Sequence, residues 1–305
     1  MAHPDLGHAA TPARALPAWL EDGRRWIEAE LERVLPGPDE PPARLHQAMR
    51  YALLGGGKRL RPALVRLVVR ELGGRDEAAL APALALELVH TYSLVHDDLP
   101  AMDDDELRRG RPTVHVAFDE ATAILVGDGL LTAAFERLAE EPAPRAAEHA
   151  RVLARAAGSR GMVGGQALDL ALEVTPGAPL SALEDMHRRK TAALFAAAAE
   201  MGAIAAGVEG ARRRASAAYG LALGLLFQAV DDLLDVTGDA ATLGKTPGKD
   251  AALERPTLVR ALGLAGARAR AAELAEEVRR RAGELGFGPG SPLHELSAFV
   301  LERPS

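Results

Sequence analysis

Residues 84–106 read LALELVHTYSLVHDDLPAMDDDE, and a second stretch of the same design, LALGLLFQAVDDLLD, occupies residues 221–235. Each is an apolar helix that ends in a cluster of aspartates. Residues four apart share a helix face, so Asp231 and Asp235 project together. On the first stretch, a regular helix would bring Asp97 and Asp104, seven apart, to one face and leave Asp103 off it. Pro100 disturbs that reading, because it removes a backbone donor and crowds the preceding turn. Geometry therefore leaves open which distal aspartate pairs with Asp97.

Outward from these two helices, periodicity begins near Ala18, where Trp19, Ile27 and Leu31 start an apolar stripe, and breaks at Pro36–Pro42. A second helix is predicted from Pro42 to Leu54. A glycine loop, Gly55-Gly56-Gly57-Lys58-Arg59-Leu60-Arg61-Pro62, then runs into a third helix from Pro62 to Leu72. Pro62 suits the first turn, where its missing N–H costs nothing. A long helix is predicted over 77–96, and others over 119–140, 144–158, 160–173, 180–206, 211–236, 256–285 and 291–302. Pro or Gly marks loops at 109–113, 141–144, 174–179 and 238–250. There is no alternating strand pattern and no repeat with a period of about 20 to 50 residues. The expectation is an all-α chain, with a disordered tail over 1–17 and one helical domain over 18–305.

Alanine and leucine dominate while aromatics reach only 4%, which favours helix over sheet. The net charge of −7 has no basic face to compensate it, which argues against nucleic acid as a partner. The chain has no cysteine, so disulfides, thiolate catalysis and cysteine-held metals are excluded. The first residues lack a basic-then-apolar secretory pattern. No apolar run is expected to span a membrane; the best candidate, Ala192–Gly207, is alanine-rich and holds Glu200. A cytoplasmic location is the expectation.

Acidic clusters at helix ends are often just solvated. Two of them, each directly after an apolar and therefore buried helix face, call for positive charge between them. Hard carboxylate oxygens suit Mg²⁺, which takes one or two carboxylates and shares its remaining shell with water and substrate phosphates. Lys58, Arg59 and Arg61 stand at a helix start after the glycine run, where backbone N–H groups and guanidinium forks both suit phosphate. This is no P-loop, since GxxxxGK[ST] is absent. Arg108 and Arg109 follow the first aspartate cluster, His90 lies seven residues before Asp97, and Gln228 lies three before Asp231. Lys190, Thr191 and Lys245 are weak signals taken singly. A basic surface loop, local ion pairs and a core histidine would account for each feature alone. Together they hold more positive charge than one phosphate group needs. The inventory implies two polyphosphate substrates, one held through metal and one held directly by cationic side chains.

These residues carry a resemblance. YALLGGGKRLRP (51–62), ALELVHTYSLVHDDLPAMDDDELRRGRPTVH (85–115), GMVGGQALDL (161–170), KTAALF (190–195), FQAVDDLLDVTGD (227–239) and TLGKTPGKD (242–250) occur in order. The chain resembles the trans-isoprenyl diphosphate synthases, most closely the bacterial farnesyl diphosphate synthases. The resemblance implies a bundle of about ten or more helices around a deep central cavity, usually a homodimer. It implies that Asp97 and Asp103 bind Mg²⁺ with the allylic diphosphate, and that Asp231 holds further Mg²⁺ from the opposite wall with Asp235 nearby. Lys58, Arg61, His90 and Arg109 would hold isopentenyl diphosphate. Arg108, Lys190, Thr191, Gln228 and Lys245 would contact the allylic substrate. Asp97, Asp103, Arg108, Lys190 and Asp231 would carry the catalysis. One position departs from the family pattern: Arg255 stands where relatives carry a lysine, which keeps the charge but not the compact ammonium.

The implied chemistry is head-to-tail condensation of isopentenyl diphosphate with dimethylallyl or geranyl diphosphate. A geranylgeranyl (C20) synthase is the alternative to a C15 synthase. A class I terpene cyclase needs only one diphosphate site and a different second metal motif, and a non-catalytic partner subunit would have lost a motif. Tyr92 lies five residues before Asp97, about 7.5 Å down the helix. In the resembling enzymes an aromatic there, with the two extra residues Pro100 and Ala101 of DDxxxxD, goes with a C15 product. Tyr92→Ala is therefore predicted to lengthen the product; an unchanged chain-length profile by chromatography would count against a blocking role for Tyr92.

Overall fold

Proline, glycine and short polar side chains set most of the helix ends. Asp119 caps one helix by accepting from Thr122 N at 2.6 Å, and Thr257 caps another by accepting from Arg260 N at 3.2 Å. Pro144 and Pro292 sit in first turns. The computed structural model describes residues 17–175, 177–237 and 256–302, and the chain is all-α. The helices are α1 (Ala18–Val34), α2 (Ala43–Leu53), α3 (Leu60–Glu71), α4 (Asp76–Asp97), α5 (Val114–Ala117), α6 (Glu120–Ala139), α7 (Ala143–Ala157), α8 (Met162–Glu173) and α9 (Leu180–His187). A π-helical turn, Arg188–Ala192, follows, then α10 (Ala193–Ala205), α11 (Gly210–Thr237), α12 (Leu258–Glu284) and α13 (Pro292–Leu301). The expectations for the tail over 1–16, for Lys245 and for Arg255 lie outside the described residues.

Four local features differ from the sequence-based expectation. The helix predicted over 180–206 is interrupted by the π turn. There α8 presses against it: a Cβ on Gly165 would stand 2.1 Å from Lys190 N. The helix predicted over 256–285 is kinked at Gly263, whose φ is 71°. The loop at 109–113 contains a small antiparallel hairpin, β1 (Leu107–Arg108) and β2 (Arg111–Pro112). Its two turn residues, Arg109 and Gly110, have φ of 55° and 73°, the left-handed pair that a two-residue hairpin turn demands. Last, α4 and α11 are long and apolar enough to cross a bilayer, contrary to expectation. Both are helices that their neighbours surround: α4 packs on α3, α6 and α10, and α11 on α10 and α12. A helix apolar on most of its circumference is the usual consequence of such burial.

The core is continuous from Ile27 and Leu31 of α1 through Leu86 and Leu88 of α4 to Phe195 of α10 and Leu223 of α11. At one end of it, an ionic network ties three helices together. Arg66 donates to Asp22 of α1 at 2.9 Å and to Asp76 of α4 at 2.7 Å; Arg70 donates to both oxygens of Asp76 at 2.6 Å. The Arg66 guanidinium also lies over Trp26, 4.8 Å from the ring centre. Asp76 stands in the first turn of α4, where a negative charge is favoured.

Hydrogen bonds from Arg70 hold the Asp76 carboxyl down at about 2, against partial burial and with help from Arg66. The folded value lies below that of an unfolded aspartate, about 3.9. The stabilisation is thus complete above pH 4 and is lost as pH falls through about 2. Asp76→Asn should cost about 1 kcal/mol at neutral pH once solvent screening is allowed for. In urea titrations the gap between the two proteins should narrow from pH 4 to pH 2; a gap that stays constant would show that the charge is not what matters.

Candidate active site

A cavity of about 1100 Å³ opens between the loop after α2, the C-terminal half of α4, the turn beyond it, α8, the π turn and α11. Fourteen of the polar and aromatic residues picked out in the sequence line it: Lys58, Arg59, Arg61, His90, Tyr92, Asp97, Asp103, Arg108, Arg109, Lys190, Thr191, Gln228, Asp231 and Asp235. A shallower cleft of about 580 Å³, lined by Glu148, Arg151, Glu209 and Arg213 among others, lies apart from them. Its Arg213 is already engaged by Glu148 and Glu200.

One pole of the cavity is cationic. Arg59 enters it in a left-handed conformation, φ 49°. The terminal nitrogens of its guanidinium are held by Glu87 of α4 at 2.5 Å and by the Leu53 carbonyl at 2.8 Å, with both ionic partners at most 3% exposed. This buried pair fixes the glycine loop on α4 and leaves Lys58 and Arg61 to face the cavity. Arg61 lies over the Phe195 ring at 4.7 Å, and its Nε is buried without a hydrogen bond. Burial brings its guanidinium down to about 10, opposed by Glu87 and Asp231, so it stays a cation at neutral pH. Arg109 reaches back from the hairpin turn to the Gly56 carbonyl. A Cβ on Gly57 would stand 2.6 Å from that guanidinium, so Gly57 is glycine because Arg109 passes so close. Burial, then Arg61, Arg109, Arg108 and Arg59, push the His90 imidazole well below its ordinary value. It stands among these cations as a neutral hydrogen-bonding group.

The opposite pole is acidic. Past Asp97 the backbone folds back on itself: Asp103 N donates to Asp97 O at 2.8 Å, and Asp104 N to Leu99 O at 3.1 Å. The fold-back sets Asp103, and not Asp104, in the cavity beside Asp97. Burial pushes the Asp97 carboxyl up to about 6, Asp103 and Asp98 add to that, and Lys190 and Arg108 oppose it. A carboxylate in this state is short of positive charge. Asp231 and Asp235 approach from α11.

The second aspartate of each pair carries a structural bond, Asp98 outside the cavity lining and Asp232 at its border. Asp98, 3% exposed, takes a bidentate grip from Arg108, with Nε at 2.8 and 2.9 Å and the terminal nitrogen at 2.5 Å. Burial works against the Arg108 charge, but Asp98 outweighs it and raises the guanidinium above its ordinary value. Asp232, 2% exposed, accepts from Leu258 N at 2.8 Å and from Gln228 at 2.9 Å, and so holds the start of α12. Gln228 in turn accepts from Thr191 at 2.6 Å. Burial of Asp232 raises its carboxyl to about 6, against these hydrogen bonds.

Three residues not picked out in the sequence belong to the site. Asp169 of α8 accepts from Lys190 Nζ at 2.5 Å. Burial opposes the Lys190 charge, but Asp169, Asp97 and Asp103 together raise it. Gln166, one turn earlier, lines the cavity with both amide atoms buried and unpartnered. His96 lines it beside Tyr92. The first two sit in the GMVGGQALDL stretch at the spacing of one helix face, which was the signal available.

The donor set at the acidic pole is all hard oxygen. Among the described residues no group of three or more His, Cys, Asp and Glu side chains could hold a metal ion unaided. That fits Mg²⁺ completed by phosphate and water, and fits Zn²⁺ poorly.

The polyprenyl synthetase family profile matches residues 42–285. The chain is 46% identical over 267 residues to the farnesyl diphosphate synthase of Escherichia coli K12, covering 84% of this chain and 88% of that one. It is 42% identical over 278 residues to the heterodimeric geranylgeranyl pyrophosphate synthase large subunit 1 of Arabidopsis thaliana, covering 87% and 74%. The crystal structure of a geranyltransferase from Helicobacter pylori, complexed with magnesium and isoprenyl diphosphate, superposes with a TM-score of 0.82 at 35% identity, over 94% of this chain and 97% of that one. With its two-poled cavity set between helices that superpose on a geranyltransferase, this chain belongs to the polyprenyl synthetase family.

Proposed function

We propose that the chain is a Mg²⁺-dependent prenyltransferase that joins isopentenyl diphosphate head-to-tail to dimethylallyl or geranyl diphosphate and releases farnesyl diphosphate. The observation that carries this reading is the pairing of opposite poles in one cavity: Asp97, Asp103 and Asp231 face Lys58, Arg61, His90 and Arg109. A carboxylate pole alone would suit a cyclase. The cationic pole supplies a second diphosphate site that needs no metal.

Asp97, Asp103 and Asp231, with Asp235 nearby, are the residues that would hold Mg²⁺ against the allylic diphosphate. Bound there, Mg²⁺ would stabilise the charge that develops on the departing diphosphate. Lys190 stands between Asp169 and the first aspartates and is held charged by them. It would bear on the same diphosphate oxygens. Asp98 fixes Arg108 at the edge of that site, where its charge reaches the leaving group without a change of rotamer. Arg61, Arg109 and neutral His90 would hold isopentenyl diphosphate, whose double bond attacks the allylic cation from a fixed distance. The proton then lost passes to the departed diphosphate, so no side-chain base is needed. Gln166 and Thr191 offer dipoles near the reacting carbons, and Tyr92 closes the apolar end.

The proposal includes a homodimer and a cytoplasmic place of work. Leu107, Val116, Ile124 and Leu125 are 42 to 55% exposed along the hairpin, α5 and α6, an apolar strip that a second copy would cover.

Purified protein incubated with Mg²⁺, isopentenyl diphosphate and geranyl diphosphate should give a linear C15 diphosphate, and none after EDTA. A cyclic hydrocarbon, or no turnover, rules the reading out. The two poles should also separate kinetically. Arg61→Met is expected to raise KM for isopentenyl diphosphate about tenfold or more, with a smaller effect on geranyl diphosphate. Asp103→Asn should instead lower kcat by about 10²-fold. Equal effects of both variants on both substrates would contradict two separate sites.

A further inference from the structure

Tyr92 does not close the cavity by itself. It lies one helical turn before His96 on α4, and their rings meet edge to face, with centres 5.9 Å apart and planes at 78°. The His96 ring is held from its other side by α6. Its Nε2–H donates to the Ile124 carbonyl at 3.1 Å. Three residues on, Gly127 is buried against it. A Cβ on Gly127 would stand 1.9 Å from Nε2, 2.4 Å from Cδ2 and 2.5 Å from Cε1. The imidazole therefore occupies the space that any other residue at 127 would fill. Tyr92, His96 and Ile124 border the cavity, while Gly127 does not.

We infer that Gly127 is a positioning residue for product length: it seats His96, and His96 seats the Tyr92 ring that ends the cavity. This rests on the prenyltransferase reading above. With alanine at 127 the ring must retreat by about 1.5 Å to reach ordinary contact distance. α6 blocks one side, so the ring moves into the cavity, loses the Ile124 carbonyl and makes the apolar end shallower. Removing the ring has the opposite effect, because Tyr92 then gains the vacated space and the cavity deepens. Glycine at mid-helix is otherwise unfavourable relative to alanine, so Gly127→Ala is not a substitution that unfolds α6 by itself.

The test is a double-mutant cycle read by product ratio, with wild type, Gly127→Ala, His96→Ala and the double variant each supplied with geranyl diphosphate or dimethylallyl diphosphate, isopentenyl diphosphate and Mg²⁺. Gly127→Ala should raise the C10 to C15 ratio from dimethylallyl diphosphate about tenfold, the scale of a one-methylene misfit in an apolar pocket. His96→Ala should raise the C20 to C15 ratio from geranyl diphosphate. The double variant should match His96→Ala, since the added methyl then meets no ring. An unchanged ratio in Gly127→Ala, or the same shift with and without His96, overturns the inference, because a purely packing role would alter melting temperature and not product length. Wild type that elongates neither substrate overturns the prenyltransferase reading itself, and that outcome is separate from the others.

Discussion

Buried like charge is the constraint on which this structure depends. Asp97, Asp103 and Asp231 all line one cavity, and burial, with Asp103 beside it, raises the cost of ionising Asp97. Burial, with Arg61, Arg109 and the arginines near them, keeps His90 neutral. The surrounding helices supply what holds the sets apart: Glu87 takes Arg59, Asp98 takes Arg108, and Asp169 takes Lys190. Each of these pairs ties a cation to a fixed partner on another element.

The two aspartate clusters follow one rule despite their different sequences. In each, the first residue faces the cavity and the second, about 100° further round the helix, is buried and carries a structural bond. Asp98 anchors the hairpin through Arg108, and Asp232 anchors the start of α12 through Leu258. A doubled aspartate is thus a ligand and its own foundation. Loss of Asp98 would disturb the site without removing a group that lines it.

Most helices were legible because hydrophobic periodicity and Pro/Gly punctuation are local signals, and here they agree with burial. The interruption at Arg188–Ala192 was not, because it packs against Gly165 on another helix, a contact that local periodicity does not express. For the same reason the glycines of the GMVGGQ stretch could be matched to relatives but not explained. Asp97 and Asp231 were legible from position after an apolar run. The choice of Asp103 over Asp104 was not, since it depends on a backbone fold-back at Leu99–Asp103 that regular helical spacing cannot express. The apolar length of α4 was underestimated because Glu87 and His90 break up its sequence, although Glu87 is paired with Arg59 inside the protein.

The Arg59–Glu87 pair has a consequence for how distance is controlled across the cavity. It rivets the loop that bears Lys58 and Arg61 to the same helix that, ten residues on, presents Asp97. Along α4 that interval is about 15 Å, so one stiff rod sets the gap between the two poles. Thermal motion of the loop then moves with the rod and does not stretch the gap. A single residue inserted between Glu87 and Asp97 would lengthen the rod by about 1.5 Å and rotate its end by about 100°, which swings the acidic wall out of register with the cationic one. The helix acts as a gauge block, and its length between these two residues is less free to vary than any side chain on it.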